Sequence, residues 1–78
     1  MYYVYILLCA NGDYYRGCTI DLKDRFRRHQ AGHVPATAHN LPVSLVFYAA
    51  FPDKYKAFAF EKYLKSGSGG AFMHKRLV

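Results

Sequence analysis

Hydrophobic and polar positions along the chain predict a small fold that mixes strands and helices. Residues 2–9 are apolar or aromatic throughout, which is typical of a central strand covered on both faces. The turn sequence Asn11-Gly12-Asp13 predicts a hairpin into a second strand over residues 14–18. Residues 43–51 are rich in β-branched and aromatic side chains, so they predict a third strand.

Helices are predicted between and after these strands. Thr19 or Asp21 can cap a helix that ends at Gly32 as its C′ residue. A polar loop over residues 33–42 leads into the third strand. Pro52-Asp53 opens a second helix that runs to about residue 66, and the Gly/Ser residues 67–70 are expected to separate it from a short basic helix over residues 71–77. The length predicts one domain, residues 1–78, with a thin core.

The hairpin register decides whether Tyr5 and Tyr15 share a face of the sheet. Side chains alternate faces along a strand, so the two tyrosines share a face only if the summed positions of paired residues are even. A three-residue loop over residues 11–13 gives an even sum, whereas a two-residue Asn-Gly loop does not. The simpler alternative is that both rings are ordinary core aromatics.

Charge and aromatic content point towards a polyanionic partner. Eleven Lys and Arg against five Asp and Glu give a formal net charge of +6, and such a field attracts polyanions, with nucleic acid the first candidate. Charge alone does not decide this, because many small basic proteins bind no nucleic acid. Eight Tyr and six Phe are more aromatic residues than a small core needs, so we expect some Tyr hydroxyls to be solvated or functional.

The location is predicted to be cytoplasmic. The apolar run over residues 4–10 has no basic region before it and no small-residue cleavage site after it, so it is interpreted as a strand and not as a signal peptide. No stretch approaches membrane-spanning length. Cys9 and Cys18 are too few for a disulfide scaffold and do not form a C-x-x-C pair, so we expect two buried thiols.

One side of the first predicted helix combines apolar and ionisable residues. At about 100° per residue, a single sector contains Leu22, Arg25, Phe26 and His29. Arg25 therefore flanks the stripe that docks on the sheet, and burying it is costly unless an anion meets it. That anion could be a substrate phosphate or, equally, an Asp or Glu in a structural ion pair. Outside this sector, a solvated basic face contains Lys23, Arg27 and Arg28.

Glu61 presents a similar question on the second helix. Its sector also contains Ala57, Phe60 and Leu64, so the carboxylate emerges from the face that packs inward. It requires a cation, which could be Arg25, a Lys or a hard divalent ion such as Mg²⁺. No Asp-rich cluster exists to build a two-metal site, so a metal mechanism would use one ion.

Taken in order, these motifs resemble the GIY-YIG nuclease superfamily, in particular its small stand-alone members of the UPF0213 type. The first motif is Tyr3-Val4-Tyr5 and the second is Tyr15-Arg16-Gly17, followed by Arg25, His29 and the segment that begins Glu61-Lys62-Tyr63. The likeness covers essentially the whole chain, including Thr37-Ala38-His39 before the third strand and Phe72 to Leu77 at the end.

The resemblance implies a fold, an activity and a set of roles. The fold is α+β, with a three-stranded antiparallel sheet flanked by helices in the order ββαβαα. The activity is that of a metal-dependent phosphodiester hydrolase that uses one Mg²⁺ or Mn²⁺ and acts on nucleic acid, with DNA as the expected substrate. The implied catalytic residues are Tyr5, Tyr15, Arg25 and His29, with Glu61 as the metal ligand. The nucleic-acid contacts assigned by the same likeness and by charge are Arg16, Lys23, Arg27, Arg28, His39 and Lys65.

Several positions depart from the family pattern. Tyr3 stands where the first motif usually has glycine, and Arg16 fills the usually apolar middle of the second motif. Ala38 and Asn40 replace residues that are often basic. All five catalytic and metal-binding positions are occupied, whereas fewer basic residues are present at the positions that contact the nucleic acid.

Two functional hypotheses follow from different classes. The first is an endonuclease that hydrolyses phosphodiester bonds in DNA and selects its substrate by structure, in repair or recombination, because no base-reading helix is evident. The second is a non-catalytic basic module that binds DNA or RNA by stacking aromatic residues on bases and keeps only the nuclease fold. The complete catalytic set favours the first.

Overall fold

A computed structural model describes residues 1–78 and confirms the predicted fold class. In chain order the elements are β1 (Tyr2–Cys9), β2 (Tyr14–Thr19), α1 (Leu22–Gln30), β3 (Val43–Phe51), α2 (Lys54–Lys65) and α3 (Gly67–Arg76). The three strands form one antiparallel sheet in the order β2-β1-β3. The apolar first strand is thus the central one, as its pattern predicts.

Two hydrophobic clusters lie on opposite faces of the sheet. On one face, α1 packs through Leu22 and Phe26 against a buried cluster that contains Tyr5 and Leu7. On the other face, α2 and α3 pack against Val4, Ile6 and their neighbours. Because side chains alternate along β1, this central strand supplies both clusters.

The register of the β1–β2 hairpin has the predicted parity. Tyr5 pairs with Gly17 and Leu7 pairs with Tyr15, so the paired positions give an even sum. The Cys9 amide donates to the Asp13 carbonyl at 2.8 Å, which closes a three-residue loop over residues 10–12. The turn is therefore three residues long but lies one residue earlier than predicted. Tyr5 and Tyr15 consequently project from the same face, the one that α1 covers.

Asp21 is the residue that caps α1. Its carboxylate accepts a hydrogen bond from the Asp24 amide at 3.0 Å, while the Thr19 hydroxyl accepts one from the Asp21 amide at 3.2 Å. The two candidate caps therefore act in series, with Thr19 supporting the capping residue. At the other end, Ala31 is the C-cap and Gly32 follows with φ +79°, as expected for a C′ residue.

The prediction for residues 67–70 is wrong. These residues do not separate two helices, since they form the first turn of α3, with Ser66 as the N-cap. The Ser66 hydroxyl accepts from the Gly69 amide at 3.1 Å. A Cβ atom at Gly69 would overlap with the Tyr63 carbonyl, so glycine lets α3 begin in direct contact with the end of α2. Close packing and capping outweigh the low helix propensity of glycine.

The two cysteines differ in environment. Cys9 is buried as predicted, whereas Cys18 on edge strand β2 is only partly buried, and both are free thiols. None of the three helices has the length and apolar character needed to cross a membrane.

Candidate active site

Four of the residues predicted to be catalytic meet between the sheet and α1. Strand alternation places Tyr5 of β1 and Tyr15 of β2 on the face below this helix. The spacing i, i+4 on α1 places Arg25 and His29 on one side of the helix. His29 is completely buried, and its ring contacts both tyrosines, with centroids 5.7 Å from Tyr5 and 4.9 Å from Tyr15.

A buried chain of hydrogen bonds runs through His29. The Tyr5 hydroxyl lies 2.8 Å from Nε2 of His29, and the Thr37 hydroxyl lies 2.8 Å from Nδ1. Thr37 belongs to the loop between α1 and β3 and is 1% exposed. Sequence reasoning did not assign a role to Thr37. The sequence pointed to Thr37 only through the segment Thr37-Ala38-His39, which is part of the family likeness. Hydrophobic periodicity could not indicate its position, because an irregular loop has no periodicity.

The two tyrosines differ in access. Tyr5 is fully buried, whereas Tyr15 is half-buried and stays within reach of solvent. Their ring centroids lie 6.2 Å apart. A molecule that approaches from outside therefore meets the Tyr15 ring first, with Tyr5 and His29 behind it.

Gly17 makes room for the Tyr5 ring. It is the cross-strand partner of Tyr5, and a Cβ atom at this position would lie 2.9 Å from Cε1 of Tyr5 and would overlap with the hydroxyl. The Tyr5 ring therefore lies directly over the β2 backbone. The glycine of the second motif is a packing requirement of the buried Tyr5–His29 pair.

We expect Gly17→Ala to displace Tyr5 and break its bond to His29. Overpacking of this kind costs about 1–3 kcal/mol of stability, which urea denaturation measures. Gly67→Ala is the control, because a Cβ atom there meets nothing within 4 Å. Equal stability of the two variants would show that the close contact between residue 17 and the Tyr5 ring does not affect the free energy of unfolding.

Arg25 has no carboxylate partner. The ion pairs of the structure join Asp24 to Arg27 and Arg28, and Glu61 to Lys65. The Nε atom of Arg25 is buried without a hydrogen-bond partner. The nearby Tyr5 hydroxyl raises the pKa of the guanidinium, against the opposing effect of burial. The structural ion pair considered from the sequence is thus not formed, and an unpaired cation lies beside the two tyrosines.

Burial keeps both members of the Tyr5–His29 pair neutral near pH 7. It raises the pKa of Tyr5 to about 12, although Arg25 acts in the opposite direction. It lowers the pKa of His29 below its ordinary value, and the positive charge of Arg25 adds to this effect. A neutral imidazole has one N–H donor and one acceptor nitrogen, so the pair is set up for hydrogen bonding and not for charge pairing.

This shift predicts that acid destabilises the protein through His29. The folded-state pKa lies below the unfolded value of about 6.5, so the unfolded chain binds a proton first. Stability is therefore complete above about pH 6.5 and falls as the pH decreases towards the folded-state pKa. Urea denaturation between pH 7.5 and 5 measures the loss. His29→Gln should remove this pH dependence, whereas exposed His33→Gln should keep it; the same slope in both variants would contradict the assignment.

Glu61 approaches the sheet from the opposite layer. It shares the inward side of α2 with buried Ala57 and Leu64, and its side chain is 21% exposed. Its carboxylate accepts from Nζ of Lys65 at 2.9 Å. Helix α2 packs against edge strand β2. Burial raises the pKa of the Cys18 thiol on this strand, and the Glu61 charge raises it further. Of the cations considered from the sequence, Lys65 is the partner in this structure.

The predicted nucleic-acid contacts are distributed unevenly. Lys23, Arg27 and Arg28 are exposed on α1, and His39 is exposed in the following loop. Lys65 is exposed but paired with Glu61. Arg16 alternates with Tyr15 and therefore lies on the opposite face, where its Nε donates to the Met73 sulfur at 3.3 Å. The structure thus places the α1 cations on the same helix as Arg25 and His29, and it places Arg16 on the other face of the sheet, which α2 and α3 cover.

Comparison with known proteins identifies the class of this domain. The family model described as the GIY-YIG catalytic domain matches residues 1–72. The chain belongs to this family. Domains of this type are nuclease domains, which generally depend on a divalent metal and act on nucleic acid.

Individual relatives place the chain more narrowly, among UPF0213 proteins. A UPF0213 protein of Lacticaseibacillus paracasei is 46% identical over 65 residues, which cover 82% of this chain and 73% of the relative. One from Streptococcus pyogenes serotype M5 is 42% identical over 64 residues, covering 81% and 70%. The solution structure of a UPF0213 protein from Bacillus halodurans aligns with a TM-score of 0.61 and 34% identity, over 96% of this chain and 84% of that one.

Proposed function

We propose that this protein is a divalent-metal-dependent endonuclease that hydrolyses phosphodiester bonds in DNA. The observation that carries the proposal is Arg25, a partly buried guanidinium with no carboxylate partner and a buried Nε without a hydrogen bond. Leaving a charged donor unmatched in a folded protein is unfavourable. A phosphate oxygen would supply the missing acceptor, since guanidinium and phosphate form strong charge-assisted hydrogen bonds.

Tyr15 is the group best placed to contact the attacking water. It is half-buried, whereas Tyr5 behind it has no exposed surface. Tyr15 therefore orients the water, and Tyr5 and His29 act through it as a relay. At rest both relay groups are neutral, so a proton moves along the relay only as the water attacks.

The proposed step balances in atoms and protons. A bond forms between the water oxygen and phosphorus as the bond from phosphorus to one ester oxygen breaks. The water gives a proton to the Tyr15 oxygen, Tyr15 gives its own proton to the Tyr5 oxygen, and Tyr5 gives its proton to Nε2 of His29. The leaving oxygen takes a proton from solvent, and the imidazolium returns one when the site resets. Arg25 stabilises the charge that develops on the phosphoryl oxygens.

Glu61 is the residue that would hold a divalent ion. No group of three His, Cys, Asp or Glu side chains lies close enough to enclose a metal. One carboxylate fits Mg²⁺ or Mn²⁺, because these ions keep several water ligands and bind through one or two carboxylates plus substrate phosphate. When bound, the ion would neutralise negative charge on the phosphate. Lys65, which pairs with Glu61 in this structure, would have to yield the carboxylate or share it.

The surface around the site favours selection by shape over selection by base sequence. The basic helix α1 is docked on the sheet through Leu22 and Phe26, and its outer face presents Lys23, Arg27 and Arg28. The cations it exposes are suited to phosphate contacts, which orient a substrate without reading its sequence. We therefore propose branched, flapped or otherwise irregular DNA as the substrate class, with a role in repair or recombination.

A substrate panel tests the proposal directly. Single-stranded, duplex, flapped and branched DNA would be incubated with the wild-type chain in Mg²⁺, Mn²⁺ or EDTA. We expect cleavage with either ion and none with EDTA. Binding without cleavage on every substrate would instead support the non-catalytic nucleic-acid-binding module.

A further inference from the structure

The loop between α1 and β3 places a buried hydroxyl group against the inner nitrogen of His29. Thr37 is 1% exposed and its Oγ1 lies 2.8 Å from Nδ1. The loop holds this residue by backbone bonds on both sides: the Thr37 amide donates to the Val34 carbonyl at 3.1 Å, and the Asn40 amide donates to the Thr37 carbonyl at 3.0 Å. The hydroxyl position is therefore fixed independently of the imidazole.

The neighbours of Tyr5 give this hydrogen-bond chain a direction. Arg25 lies close to the Tyr5 hydroxyl and has only donors, so this neighbour favours the orientation in which the lone pairs of the Tyr5 oxygen face it. That orientation turns the Tyr5 proton towards Nε2 of His29, which lies 2.8 Å away. If Nε2 accepts, the neutral ring carries its proton on Nδ1, and that N–H donates to Oγ1 of Thr37.

We propose that Thr37 is a positioning residue that fixes the tautomer of His29, and so fixes the direction in which the Tyr5–His29 pair can accept a proton. The inference rests on the proposed function and extends it to a residue outside the predicted catalytic set. In the other tautomer, Nε2 would donate to Tyr5 and could not take its proton. Thr37 would then determine whether a proton can pass from the attacking water through the tyrosines to His29.

Removing the hydroxyl should reverse the tautomer. Thr37→Val keeps the branched shape and leaves the buried Nδ1–H without an acceptor, which is a costly state. Moving the proton to Nε2 pairs it with the Tyr5 oxygen, and the Tyr5 proton then turns from His29 towards Tyr15. Nδ1 is left as an unpaired acceptor, which is tolerated better than an unpaired N–H donor. Thr37→Ser retains an oxygen and should retain the Nδ1–H form. Thr19→Val is the matched control, because that hydroxyl bonds only with the backbone of Asp21.

Long-range ¹⁵N–¹H correlation spectra of the labelled full-length chain at pH 7.5 give the test. The two ring nitrogens of His29, assigned by the signals that His29→Gln lacks, report which one carries the proton. We expect protonated Nδ1 in wild type, Thr37→Ser and Thr19→Val, and protonated Nε2 in Thr37→Val. Protonated Nε2 in wild type, or an unchanged tautomer in Thr37→Val, would overturn the proposal. If Thr37→Val does not fold, Thr37→Ala, which also removes the hydroxyl, takes its place with the same expected and contradicting results.

Kinetics on a cleaved substrate give a second measurement. We expect Thr37→Val to lower kcat about ten- to a hundredfold, which is less than the full contribution of roughly 10²–10⁴-fold from positioned proton transfer because the tyrosines and Arg25 remain in place. KM should hardly change, and Thr37→Ser should restore most of kcat. The groups that face His29 are Tyr5 from β1, Tyr15 from β2 and Arg25 from α1, and none of them is altered in these variants.

The two proposals fail in distinguishable ways. Failure of the proposed function appears as wild-type protein that cleaves nothing on the panel, and the NMR spectra do not depend on cleavage. Failure of the Thr37 inference appears as cleavage that depends on Glu61 and Arg25 while the His29 tautomer and kcat are the same in wild type and Thr37→Val.

Discussion

Glu61→Gln should reduce metal-dependent cleavage to the level of wild-type protein in EDTA. The amide keeps the side-chain volume but loses the negative charge that a divalent ion requires. The structure contains no cluster of three acidic, His or Cys residues that could hold the ion in its place. Cleavage of the preferred DNA across a series of Mg²⁺ concentrations measures the effect, together with binding to the same DNA by fluorescence anisotropy.

Binding and stability of this variant should change little. The lost ion pair with Lys65 is an i, i+4 pair at the surface, worth roughly 0.5 kcal/mol or less. Asp53→Asn is the matched control, since it removes a carboxylate from the start of the same helix while asparagine still caps it. The metal-ligand assignment is wrong if Glu61→Gln and Asp53→Asn cleave at the same rate as wild type.

The strands, and the residues on the side of α1 that packs on the sheet, could be predicted from the sequence because they follow from simple periodicities. Alternation in β1 and an even hairpin register place Tyr5 and Tyr15 together, and helical spacing places Arg25 beside His29. Each of these arrangements depends on local geometry that any chain with this pattern would adopt. The complete burial of His29 and the absence of an ion pair at Arg25 depend on tertiary packing. The sequence could therefore give the partner of Arg25 only as two alternatives, and it did not predict that His29 is fully buried.

The contact of Thr37 with His29 and the start of α3 could not be predicted from sequence patterns. Thr37 reaches His29 through an irregular loop whose path is set by its own backbone bonds, and no periodicity describes such a path. At α3, the low propensity of Gly67, Gly69 and Gly70 favoured a turn. A serine cap and close contact with the end of α2 reversed that preference. In both places the decisive interaction is with a residue brought close by folding.

Tyr5 shows a different limit. The two tyrosines hold equivalent places in two sequence motifs, yet their environments in the structure differ. Tyr5 is sealed between Gly17 and His29, and its burial raises its pKa to about 12, whereas Tyr15 remains partly exposed. A buried neutral phenol cannot meet a substrate directly, which is why we assign the water contact to Tyr15. Access to solvent separates the two roles, and access is a property of the packed structure.

A comparison of Arg25 with Arg28 distinguishes a catalytic contribution from general electrostatic attraction of DNA. Both lie on α1, three residues apart, but Arg25 is partly buried beside the tyrosines and has no acidic partner. Arg28 is exposed and pairs with Asp24 at 2.8 Å. Arg25→Ala removes the donor assigned to the phosphoryl oxygens, whereas Arg28→Ala removes one surface charge. The net charge of the chain changes equally in the two variants, so whole-molecule electrostatics cannot distinguish them.

We therefore expect Arg25→Ala to lower kcat about 10²–10³-fold, the range found when one donor to a developing anion is removed. Arg28→Ala should instead weaken DNA binding and reduce the salt dependence of affinity by about one phosphate contact. Single-turnover cleavage at saturating protein and anisotropy titrations between low and moderate salt separate these effects. Arg25 would only attract DNA if both variants lost the same fraction of the cleavage rate and the loss disappeared when they were compared at the same fraction of bound DNA. A loss confined to single-turnover rates in Arg25→Ala would place its guanidinium at the scissile phosphate.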